Sequence, residues 1–63
     1  MNVLDAVVLE MDERIAQLKD HLASGRLNTH EEYRQLCGEI KGLLFARGYT
    51  LDLKQNAEDS DNE

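Results

Sequence analysis

The sequence predicts an all-α protein, an antiparallel two-helix hairpin with a short C-terminal segment and a disordered acidic tail. Three observations carry that prediction. Apolar residues recur at helical spacing through both halves of the chain, giving two seams of similar length. A glycine stop and a helix restart lie close together between them. The 63 residues hold no proline and only three aromatic residues, a composition that favours helix over sheet.

The first helix is expected from about Val3 to Ala23. Leu4, Val8, Met11, Ile15, Leu18 and Leu22 follow each other at intervals of four and three, a coiled-coil-like seam that Val7 widens on one side. Asp5, Asp12, Glu13, Lys19 and Asp20 fall outside it. Ser24-Gly25 reads as the stop, because glycine enters the left-handed conformation cheaply.

Thr29 with Glu32 has the capping-box pattern, in which the hydroxyl accepts from a backbone N–H and the carboxylate reaches back. Asn28 with Glu31 offers the same arrangement one residue earlier. Two acids in the first turn suit the helix dipole. The second helix is expected from about His30 to Arg47, stopped at Gly48, with a seam of Tyr33, Leu36 or Cys37, Ile40, Leu43 or Leu44, and the stem of Arg47. At 1.5 Å per residue the two helices span roughly 27 to 30 Å each. Matched lengths and a short connection make them antiparallel neighbours.

Beyond Gly48 the pattern is ambiguous. Tyr49, Leu51 and Leu53 alternate with Thr50 and Asp52 as a short extended segment would, while Thr50 could equally cap one more helical turn. Residues 55–63 are polar and acidic and read as a disordered tail. The expected organisation is a hairpin domain over 1–54 and that tail.

Net charge is −6, unevenly spread. Residues 1–54 hold nine acids against seven bases, a net of −2, and the remaining four acids are all in the tail. A nucleic-acid binder would show a basic patch, and this body has none, so no nucleic-acid partner is expected. No apolar run approaches about 18 residues, and no basic-then-apolar opening is present, so neither a membrane span nor a secretory signal is expected. One cysteine, Cys37, fits a reducing, cytoplasmic setting.

Gly38 and Gly42 are the anomaly. Each costs an exposed helix interior on the order of 1 kcal/mol relative to alanine. Taking Ile40 as the centre of the second seam, both glycines fall roughly 160° away at 100° per residue, with Phe45 at about 140° and Ala46 at about 120° on the other side. The back of the helix therefore reads Glu31, Arg34, Gln35, Gly38, Gly42, Phe45 and Ala46, the expected partner-binding face. Small residues four apart leave a groove that another backbone can approach, and an aromatic beside it makes an anchor. The plainer readings are that the glycines only weaken the helix, and that Phe45 folds under the C-terminal segment.

Nothing in the chain points to catalysis. Cys37 lies at the edge of the seam, where cysteine behaves as a small hydrophobe, and His30 is two turns away from it. His21 and His30 flank the turn, but their spacing matches no metal pattern, so neither metal nor cofactor is expected. Asp12-Glu13 and Glu31-Glu32 are adjacent in sequence and point to different faces. Tyr33 fits a structural place near the turn, ring packed and hydroxyl free to reach water.

The segment Leu18–Ala46, with Ser24-Gly25, Glu31-Glu32-Tyr33 and Gly38-Glu39-Ile40-Lys41-Gly42-Leu43, resembles small uncharacterised helical-hairpin proteins encoded by tailed bacteriophages. That resemblance implies a phage-encoded helical hairpin, located in the cytoplasm of the bacterial host or incorporated in the virion, and it carries no catalytic residue. The expected function is a protein–protein interaction module, a structural or assembly component that docks onto itself or onto a larger phage or host protein. The alternative is a small acidic regulator whose tail inhibits a host enzyme.

Overall fold

The computed structural model describes residues 2–61 and consists of two helices, α1 (Val3–Ala23) and α2 (His30–Asp61), packed side by side. The hairpin is a rod of 53 × 18 × 12 Å, its length set by α2. The all-α hairpin and both ends of α1 agree with the periodicity.

Each helix start is held by side chains. Asn2 caps α1: its side-chain oxygen accepts from the Asp5 N–H at 2.9 Å, and the Asp5 carboxylate accepts from the Asn2 N–H at 3.2 Å, a reciprocal capping box. At α2 the Thr29 hydroxyl accepts from the Glu32 N–H at 3.1 Å, as the capping pattern predicts. The Glu32 carboxylate, however, takes the Asn28 N–H at 3.1 Å, one residue further back than a closed box requires. Between the helices Gly25 has φ +75°, the left-handed conformation expected of the stop. Ser24 donates its hydroxyl to the His21 carbonyl at 2.6 Å and accepts from the Arg26 N–H, closing the turn.

Three expectations for the second half are corrected. The helix does not stop at Gly48, which has no positive φ; α2 continues to Asp61. Of the two readings of residues 49–53 the extended one is overturned and the helical one holds, with Thr50 inside α2 rather than capping a new turn: its hydroxyl donates back to the Ala46 carbonyl at 2.8 Å. The expected disordered tail is helical over residues 55–61, while residues 62 and 63 lie outside the described residues. The physical reason is the seam. Leu36, Ile40, Leu43, Arg47, Thr50 and Lys54 keep intervals of four and three past Gly48, and all are half-buried. Continuing the helix covers the first turns of α1, where Leu4, Val7 and Val8 would otherwise stand open.

Register is marked by ion pairs. Lys54 Nζ lies 2.6 Å from the Asp5 carboxylate, and Arg47 pairs with Asp12, one heptad along both helices. On the other edge Arg14 meets Glu39 at 3.0 Å. Pairs this exposed add little net stability, so their effect is to fix which residues face each other. The core itself is small: among the described residues only Ile15, at 6% exposure, and Leu18, at 3%, are buried.

Candidate protein interface

The register turns α2 so that Leu36 and Leu43 point at α1, and this leaves Tyr33 and Leu44, expected in the seam, exposed. The whole outward side of the helix rotates with them. Of the expected partner face, Glu31, Arg34, Gln35, Gly38, Gly42 and Phe45 are exposed, as drawn from the sequence. Ala46 is half-buried and belongs to the edge of the α1 contact instead. Phe45 does not fold under a C-terminal segment, because that segment is the continuing helix and carries the ring outward at 58% exposure.

A methyl group built on Gly38, Gly42 or Gly48 would meet nothing within 4 Å. Packing inside the hairpin therefore does not require glycine at these three positions, and each leaves a bare strip of backbone on the helix surface. Large apolar side chains stand around that strip. Leu44 is 49% exposed, Tyr49 71%, Leu51 37% and Leu53 58%. Together with Phe45 they occupy one ten-residue stretch, and they point to nearly every side except the one that faces α1. Large apolar side chains exposed together on one short stretch mark a candidate interaction surface.

Tyr49, Leu51 and Leu53 are absent from the face drawn from the sequence, and so is Leu44. The signal was present: Phe45, Tyr49 and Leu53 are four apart, and Leu44 and Leu51 are seven apart. Taking Gly48 as a stop cuts both series in half.

Three of the remaining candidates for chemistry, His30, Tyr33 and Cys37, lie together near the start of α2. Tyr33 stacks on His30, ring centroids 5.9 Å apart and 20° from parallel. Cys37, one turn further on, raises the Tyr33 phenol above its ordinary value through side-chain hydrogen bonding first and charge second. Cys37 itself is half-buried. A cleft of about 240 Å³ beside the turn is lined by His21, Leu27, Glu32, Gln35, Leu36 and Glu39. That is below the range of roughly 300–1,000 Å³ usual for small-molecule sites. Among the described residues no group of three or more His, Cys, Asp or Glu side chains is placed to hold a metal ion, and no helix is long and apolar enough to cross a membrane. No protein family, curated protein or solved structure matches this chain.

Proposed function

We propose that this chain is a protein–protein interaction module, structural rather than catalytic, that docks through the outward side of α2. The observation that carries it is the exposed apolar stretch Leu44–Leu53, set beside three glycines whose surface nothing in the chain uses. Exposed aromatics next to bare backbone are what an interface core is built from. The resemblance to phage-encoded helical hairpins supplies the setting, an assembly component of a phage particle.

The test is site-specific photo-cross-linking in the cells that make the protein, with a photoreactive phenylalanine analogue at Phe45, at Tyr49, or at Glu13 on the outer side of α1. Discrete adducts are expected from positions 45 and 49 and none from 13. Absence of any adduct at 45 and 49, or equal yields at all three positions, overturns the proposal.

A further inference from the structure

The outward side of α2 has an order of its own. Arg34, Lys41 and Gly48 stand seven residues apart, and so do Phe45, Asp52 and Asp59. Continued to Gly38 and Gln55, the two rows interleave at intervals of four and three into a second heptad seam, which lies roughly 160° around the helix from the Leu36–Leu43 side that meets α1. All eight residues are exposed, Gly38 and Gln55 being mirror positions of each other. The seam is also a palindrome in chemical character. About the midpoint between Ala46 and Arg47, Arg34 is the mirror position of Asp59, Lys41 of Asp52, and Phe45 of Gly48. Bases occupy its first half, acids its second half, and at the centre the large ring stands opposite the bare backbone.

We infer that the occupant of this face is a second copy of the same chain, its α2 running antiparallel about a two-fold axis at residues 46 and 47. This rests on the interaction-module proposal and names its partner. Antiparallel pairing about that axis sets each base of one copy against an acid of the other, and each such contact occurs twice. It seats each Phe45 over the second copy's Gly48, where a Cβ would meet nothing within 4 Å in the free hairpin. On the flanks Leu44 comes against the second copy's Leu51, and Tyr49 against its Gly42, so Gly42 and Gly48 each receive an aromatic ring, while Gly38 meets Gln55. Neither Lys41, Asp52 nor Arg34 has an ion-pair partner within the chain among the described residues, and Asp59 accepts only from Gln55. Because α1 lies on the far side of α2, the two α1 helices stay on the outside of the assembly.

The exposed surface is large enough for an interface of this kind. The hairpin exposes 5,018 Å², where a compact monomer of its mass would expose about 4,100 Å². The excess of both copies is roughly 1,800 Å², close to the standard interface of about 1,600 Å².

The experiment is sedimentation equilibrium of the full chain beside Lys41→Asp, Asp52→Lys and the double variant, with far-UV circular dichroism to check that each keeps the hairpin. The wild type is expected to be a dimer. Each single variant sets like charges against each other twice and should weaken the dimer at least about tenfold. The double variant, which exchanges the charges, should regain it. In a Cys37→Ser background, oxidising a mixture of Lys41→Cys and Asp52→Cys chains should give the mixed 41–52 cross-link in preference to 41–41 or 52–52. A wild-type monomer up to about 1 mM, singles indistinguishable from wild type, no rescue in the double, or no preference for the mixed cross-link each overturns the second copy as occupant. Under any of those results, a Phe45 photo-adduct to a different protein would leave the interaction module standing, whereas loss of all adducts removes both.

Discussion

Gly25 and Gly42 show how one residue type answers to two different demands. Gly25 sits at φ +75°, where a side chain is strained whatever the space around it. Gly42 has ordinary helical geometry and open space where a Cβ would be. Alanine at the two positions should therefore act with opposite signs. Under conditions where the chain is monomeric, Gly42→Ala should stabilise the hairpin by about 1 kcal/mol through helix propensity. Gly25→Ala should destabilise it by roughly 1–2 kcal/mol through the left-handed backbone. Urea denaturation followed by circular dichroism reads both, and a destabilising Gly42→Ala would mean that the glycine serves the hairpin itself. The Thr29 cap and the Gly25 stop were legible in the sequence because each depends on neighbours within four residues. Ala46 was misplaced because its exposure depends on how α2 is rotated against α1.

The register of α1 against α2 is marked by ion pairs whose titration can be followed. The Asp5 carboxyl is held below its ordinary value of 3.8 by hydrogen bonding to Lys54 first and to the Asn2 backbone second. Lys54 is held above 10.5, again by hydrogen bonding to Asp5 first and by charge second. A depressed carboxyl contributes stability above its unfolded value and loses it as pH falls through the lowered folded value. A raised amine contributes below its unfolded value and loses that contribution as pH rises through the raised folded one. The difference in melting temperature between wild type and Asp5→Asn should then be level across neutral pH, shrinking on the acid side below 3.8 and on the alkaline side above 10.5. A difference that stays level through the acid limb would place Lys54 against some other partner. The pair forms because α2 outruns its expected end; a helix stopped at Arg47 would leave Asp5 and the first turns of α1 without an opposite side.

The whole molecule is a rod rather than a globule. Its radius of gyration is 15.2 Å, against about 10.6 Å for a compact domain of this length. Two buried side chains and a few exposed ion pairs are a slender basis for stability in so short a chain, and proteins of this size commonly complete their core with a second chain. If a copy of the chain covers α2, folding and association are linked, and the melting temperature should rise with protein concentration. Thermal unfolding over a hundredfold range of concentration reads this directly. A midpoint independent of concentration would describe a hairpin that is stable alone.

The sequence by itself determined the fold class, the span of α1, the turn and the start of α2. Those features follow from spacings and caps that operate within a few residues. It also determined that Gly38, Gly42 and Phe45 lie off the α1 contact, because helical period alone separates the seam from its back. Only the tertiary structure decided where α2 ends, because the continuation past Gly48 answers to α1 some fifty residues earlier in the chain. The same packing decided the rotation of α2. By turning Leu36 and Leu43 inward it left Leu44 exposed with Phe45, and by carrying α2 past Gly48 it added Tyr49 and Leu51 to the exposed set.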